Sequence, residues 1–217
     1  MEFVTDRTQD HVDRLKLLHN IGYYNMSASQ KEEYTTYATK GAYNRFDLNR
    51  VEGNVAALAP FFGLNLTTKT DWDLWSYPTK SEMDRYLNNV VLLRDALSLD
   101  HALPDSMDKL TFETANNIEK ILEVAYGQVY PSGEADEYRV AYVLTNAYCS
   151  VKTTVVEANS RFFRSVLPNS GYVLESLTVM MNGEVITDGI VFDPEGSTIM
   201  IQSVTGPIIV TAVAVPA

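Results

Sequence analysis

Carboxylates, three histidines and one thiol are the groups through which this 217-residue chain could do chemistry. Asp71-Trp72-Asp73 sets two hard oxygen donors close together, a ligand type that suits Ca²⁺ or Mg²⁺. In an extended segment, however, alternation turns both carboxylates to one solvated edge and Trp72 inward, and that placement is the expectation. Glu32 with Glu33, and Asp136 with Glu137, are adjacent pairs, whereas hydrolysis needs two carboxylates set apart across a cleft. His11 and His19 fall on one predicted helix without the one-turn spacing and further ligands of a zinc pair, so surface or capping roles are expected. Cys149 is the only cysteine, which excludes an intrachain disulfide and a cysteine-based metal site and points to a buried, inert thiol. The chain has no Gly-x-Ser-x-Gly elbow, no Walker loop and no Gly-x-Gly-x-x-Gly. These residues assign no catalytic group, no metal site and no cofactor, and the chain is expected to be non-enzymatic.

The residues with the clearest capacity for contact are aromatic. Both tryptophans lie in Leu66–Pro78, a segment without helical period that is expected to run extended across the helices. Trp72, Trp75 and Tyr77 are the candidates for ligand or partner contact, because aromatic faces stack on sugars and anchor protein interfaces. The competing expectation is that they staple the segment to the helices. Tyr23, Tyr24, Tyr34 and Tyr37, among 13 tyrosines, pose the same choice.

The elements that must position these residues differ between the two parts of the chain. Up to about residue 127 the punctuation is helical. Val12, Leu15 and Leu18 form one stripe, and Ser27 with Gln30 forms a capping box. Asp47 is expected to cap a helix over Leu48–Leu58, disturbed at Pro60 and stopped by Gly63. Thr79 with Glu82 forms a second capping box, opening a helix that offers Met83, Leu87, Val90, Val91 and Leu97 for burial. Thr111 opens the last helix, with Ile118, Ile121, Leu122 and Ala125 inward. Two short matches suggest an internal duplication: Thr8 to Leu15 with Thr79 to Tyr86, and Leu48 to Val55 with Ala115 to Leu122, the latter pair sharing an Asn-x-(Val/Ile)-Glu pattern. They predict two helix pairs packed with pseudo-twofold symmetry.

Residues 128–137 are turn-rich and charged and mark the expected linker. Beyond it the period falls to two: Tyr138, Val140, Tyr142 and Leu144 alternate, as do Leu177, Val179 and Met181. Asn182-Gly183 then predicts a two-residue hairpin and Asp193-Pro194-Glu195-Gly196 a turn. About seven short strands in residues 138–217 predict an immunoglobulin-like antiparallel β-sandwich. The expected fold class is therefore α+β in two domains, a helical bundle over 1–127 and a β-sandwich over 138–217.

Charge narrows the partners. The net charge is −11, and residues 1–137 carry 13 Lys and Arg against 22 Asp and Glu. Such a surface repels phosphate backbones, so no nucleic acid is expected. No apolar run is long enough to span a membrane. The start at Met1 lacks a basic segment followed by an apolar one, which leaves two expectations open, use without export or prior removal of a leader.

Val140 to Asn146, Gly171-Tyr172, Leu177 to Gly183, Val185-Ile186-Thr187 and Ile199 to Ala212 resemble a β module of surface and phage tail-associated proteins from gut Firmicutes, with Pro207 where an Asp is usual. Asp6 to Arg14, Gly41 to Glu52, Thr67 to Trp72 and Asn117 to Leu122 resemble segments of uncharacterised phage and prophage virion proteins that often end in such a module. The resemblance implies a tail or baseplate setting, with other virion proteins or further copies as partners of the helical part. It supplies no catalytic residue. The alternative is a bacterial surface adhesin or carbohydrate-binding protein contacting cell-wall glycans, which requires a leader upstream of Met1.

Overall fold

The computed structural model describes residues 1–36, 38, 40–130 and 136–217. The chain is α+β, five helices followed by a strand-rich region, and it divides into two compact units. Met1–Ala57 with Leu66–Val124 forms the first, and Leu58–Asn65 with Ala125–Ala217 the second.

The helices are α1 (Gln9–Ile21), α2 (Ala28–Thr35), α3 (Arg45–Leu58), α4 (Lys80–Ala96) and α5 (Phe112–Val129). Both predicted capping boxes are present. Gln30 N–H donates to Ser27 Oγ while Ser27 N–H donates to Gln30 Oε1, and Thr79 and Glu82 repeat the exchange at α4. Asp47 is not the cap of α3. The helix starts at Arg45, and the Asp47 carboxylate reaches back to accept the Asn44 N–H at 2.9 Å, so Asn44 takes the position expected of Asp47. After Leu58 a 3₁₀ turn, Ala59–Phe62, carries Pro60, and Gly63 closes it in the left-handed region. On α4 the buried residues are Tyr86, Leu87, Asn89, Val90 and Leu93 rather than Met83, Val91 and Leu97. The inward face is thus displaced by part of a turn, because a polar residue, Asn89, is drawn into it to bond the Thr67 carbonyl at 2.8 Å. On α5 Ile118, Ile121, Leu122 and Ala125 are buried as the stripe predicts.

The helix α5 continues to Val129 and the first strand opens at Glu137, so part of the predicted linker is helical; residues 131–135 of it lie outside the described residues. Nine strands follow: β1 (Glu137–Thr145), β2 (Ala147–Cys149), β3 (Val155–Glu157), β4 (Phe162–Pro168), β5 (Tyr172–Met181), β6 (Glu184–Ile186), β7 (Ile190–Val191), β8 (Ser197–Ile201) and β9 (Ile208–Pro216). One sheet has the order β3-β1-β9-β5-β6 and the other β2-β4-β8-β7. Val140, Leu174, Val179, Ile208 and Val210 from the first share one apolar core with Phe162, Val166, Ile199 and Ile201 from the second. The hairpin at Asn182-Gly183 has positive φ at both residues, as predicted.

The expectation of wholly antiparallel pairing is corrected in one place. β1 runs parallel to β9, in register from Val140 opposite Ile208 to Thr145 opposite Val213. These strands are the first and last of the set, so no tight hairpin has to join them, and the chain leaves β1 for the other sheet at Asn146, where φ is 53°. Pro207 precedes β9, where a missing N–H costs no ladder bond, and its carbonyl accepts the Asn182 N–H at 2.9 Å.

Candidate functional site

The segment that carries both tryptophans is pinned to α3 by a pair of side chains one helical turn apart. Asn49 Oδ1 accepts the Trp72 N–H and Asn49 Nδ2 donates to the Trp72 carbonyl, both at 2.8 Å. Glu52 Oε2 accepts the Lys69 N–H at 2.9 Å. A primary amide carries a donor and an acceptor side by side, so the Asn49 side chain can satisfy the N–H and the C=O of the same residue. Arg85 from α4 clasps Glu52 with bonds of 2.6 and 2.7 Å and also donates to the Thr67 carbonyl.

The same device recurs on α5. Asn116 Oδ1 accepts the Arg7 N–H at 3.0 Å and Asn116 Nδ2 donates to the Arg7 carbonyl at 2.8 Å. One turn on, Glu119 is fully buried, and the Val4 amide favours its ionised form. The gripped segments correspond, Val4-Thr5-Asp6-Arg7 on α5 and Lys69-Thr70-Asp71-Trp72 on α3. The cations differ. Where Arg85 serves Glu52, Arg50 serves Glu119 and shares Asp47 with Arg7 at 2.5 and 2.6 Å. Arg14, the counterpart of Arg85 in the sequence repeat, pairs with Glu33 of α2 instead, at 2.5 Å. Burial holds Glu119 above the ordinary carboxylate range despite Arg50 and Arg7. Burial likewise raises the phenols of Tyr43 and Tyr86, which hydrogen-bond each other beside this cluster and stay neutral. Among the described residues of this unit, the buried carboxylates Asp47, Glu52 and Glu119 each bind an arginine.

Past Trp72 the chain makes a closed turn. Asp73 Oδ1 accepts the Trp75 N–H at 3.0 Å and the Ser76 hydroxyl at 2.7 Å, while the Asp73 N–H donates to Ser76 Oγ at 3.0 Å. The Ser76 bond, with the backbone amides behind it, lowers the pKa of Asp73 and keeps the carboxylate ionised. The turn presents Leu74, Trp75 and Tyr77 to solvent at 62, 75 and 83 % exposure. Trp72 is 3 % exposed, with the Lys69 ammonium 4.0 Å from its ring centroid. The three aromatic candidates are thus divided. Trp72 is buried and staples the segment, whereas Trp75 and Tyr77 are exposed, Trp75 on the turn closed by Asp73 and Ser76 and Tyr77 just past it.

The remaining sequence candidates take structural or surface places. Asp71 and Asp73 are both exposed with Trp72 between them turned inward. His11 caps α1, its Nδ1 accepting the Thr8 N–H at 3.1 Å. Glu32 and Glu33 are on α2, where Glu33 binds Arg14. Cys149 is buried on β2 and burial pushes its thiol up, so it is not poised as a nucleophile. Tyr23 and Tyr24 are exposed, Tyr34 is half-buried, and Tyr37 lies outside the described residues. Among the described residues, no group of three or more His, Cys, Asp and Glu side chains could hold a metal ion, and no helix is long and apolar enough to cross a membrane. The clamp residues Asn49, Glu52, Asn116 and Glu119 were visible as a repeated Asn-x-x-Glu. The signal that would have revealed their task is the Thr-Asp pair shared by the segments they hold.

The fold and site define an α+β chain with an internally clamped helical unit and a two-sheet unit. No family model matches the chain, and neither the curated proteins nor the solved structures contain a match.

Proposed function

We propose that this chain is a non-enzymatic structural component of a phage or prophage particle, associated with the tail or baseplate. Its helical unit, a bundle built from a duplicated helix pair, docks to other virion proteins, and its β unit, an immunoglobulin-like sandwich, projects for display or host contact. The observation that carries this reading is the fixed turn Asp73–Ser76, which displays Leu74 and Trp75, with Tyr77 beside it, on a unit whose buried carboxylates Asp47, Glu52 and Glu119 are engaged in its own architecture. Rigid exposed aromatics beside an aliphatic residue are the composition of a protein-contact hot spot. The resemblance of both parts to virion proteins supplies the setting. The reciprocal clamps support the duplication, and the core shared by two sheets supports the sandwich.

The test is mass spectrometry of particles purified after DNA-damage induction of the source strain. Peptides of this chain in fixed proportion to known tail proteins are expected; particles lacking them refute the proposal. A second reading, a bacterial surface protein that binds wall glycans, is favoured only by the exposed rings of Trp75 and Tyr77. It predicts sedimentation of the protein with purified cell-wall fragments.

A further inference from the structure

The first unit also holds an apolar groove of about 490 Å³ lined by Leu15, Lys16, His19 and Asn20 of α1, Tyr34 of α2, and Ala42. Leu15, Tyr34 and Ala42 are half-buried and supply its floor, while His19 is exposed at the rim. Lys16 is the rim cation; its ion pair to Asp13, at 3.4 Å, is solvent-exposed on both sides and holds it weakly. The groove is thus an apolar slot with a basic edge, on a unit whose overall charge is strongly acidic. The Leu74–Tyr77 turn has the opposite character. It is a convex apolar tip, and the exposed carboxylates of Asp71 and Asp73 stand at its base.

We propose that the turn of one copy seats in the groove of a second copy, Trp75 and Leu74 entering between α1 and α2 while Asp71 and Asp73 face Lys16 and His19. Three features argue for a second copy as the occupant. The charges are complementary in a molecule that is otherwise repelled by its own kind. The groove is of the size that accepts an aromatic anchor. The turn is held by Asn49 and by the Asp73–Ser76 bonds, so little conformational freedom is lost when it docks. Turn and groove are different surfaces, so the contact is heterologous and copies add head to tail, closing into a ring or extending as a filament. The contact patch is smaller than a standard interface, which places the pairwise affinity in the weak range and makes assembly depend on concentration. This inference rests on the turn being a docking element and not on residence in a virion.

Sedimentation of the purified full chain over a wide concentration range tests it. Wild type is expected to self-associate reversibly. Trp75→Ala, which removes the tip, and the double variant Lys16→Glu/His19→Glu, which reverses the rim, are each expected to weaken association by about tenfold or more. Both changes lie at the surface, and unchanged thermal unfolding will show that the fold survives. The decisive step is to mix them. Trp75→Ala keeps a working groove and the double variant keeps a working tip, so the mixture is expected to form a 1:1 heterodimer that neither forms alone and that grows no further. A wild type that stays monomeric up to its solubility limit overturns the proposal. So does association that Trp75→Ala leaves intact, or a mixture that stays monomeric. Binding of Trp75 to wall fragments by a strictly monomeric protein would assign the turn to glycans instead, and overturns it equally. None of these outcomes depends on whether the chain is found in particles.

Discussion

Asn49 and Asn116 perform the same act on different helices: each closes two hydrogen bonds on the backbone of one residue in an extended segment. The helices α3 and α5 each receive a segment that leads into another helix, Trp72 ahead of α4 and Arg7 ahead of α1.

The two clamps differ in depth, and that sets the first prediction. The bonds of Asn116 to Arg7 are buried, while those of Asn49 to Trp72 are partly buried. Asn116→Ala strands a buried N–H and C=O and is expected to cost about 3 kcal/mol, and Asn49→Ala about 2 kcal/mol. Asp at either position keeps the acceptor and loses the donor, so an intermediate loss is expected. Urea midpoints measure all four variants; equal losses at the two sites would contradict the difference in burial.

Arg85 and Arg14 occupy matching places in the repeat but not matching environments. Glu52 is buried beneath Arg85, so Arg85→Ala leaves a carboxylate without its counter-charge and is expected to cost about 3 kcal/mol. Arg85→Lys should recover only part, since an ammonium cannot reproduce the two-pronged contact. Arg14→Ala breaks a more open pair and is expected to cost clearly less than Arg85→Ala.

Acid should loosen the start of α4. The Thr79 N–H, the Thr79 hydroxyl and Lys69 hold Glu82 at a pKa of about 2, against an ordinary value of 4.5. A depressed carboxylate stabilises the fold fully above its unfolded pKa, and that contribution fades as pH falls from about 4.5 towards about 2. Glu82→Gln is expected to flatten the stability profile across this window and leave its shape above pH 5 unchanged. Glu119, raised by burial, contributes a slope of the opposite sign, which Glu82→Gln retains.

The two tryptophans should be separable by fluorescence. Trp75→Phe leaves the buried Trp72, for which a blue-shifted emission resistant to acrylamide is expected. Trp72→Phe leaves the exposed Trp75, with red-shifted, readily quenched emission. Trp72→Ala is expected to cost about 3–5 kcal/mol through the cavity it opens, and Trp75→Ala no more than about 0.5 kcal/mol. Similar quenching of both single-tryptophan proteins would contradict the division of the aromatic segment.

Local chemistry was legible in the sequence and long-range pairing was not. The boxes at Ser27 and Thr79, the stop at Gly63 and the hairpin at Asn182-Gly183 depend on neighbours within a few residues, and all four form where the residue types place them. Asp47 was misplaced because Asn44 competes for the same role and wins by leaving the carboxylate free for Arg7 and Arg50. β4 has a weak period-two signal because Arg164 stands between the buried Phe162 and Val166 on the inward face while Phe163 faces outward. At the candidate site, the inward turn of Trp72 followed from alternation. The exposure of Trp75 and Tyr77 depends on the Asp73–Ser76 closure, which has no periodic signature.

The parallel pairing of β1 with β9 has a mechanical consequence. A pull applied at Glu137 and at Pro216 draws these two strands past each other along their length, because parallel neighbours present their free ends in opposite directions. The six register pairs from Val140–Ile208 to Thr145–Val213 then bear the load together in shear, instead of parting one at a time as a hairpin unzips. The β unit is thereby built to hold tension between the strand that enters it and the strand that leaves it.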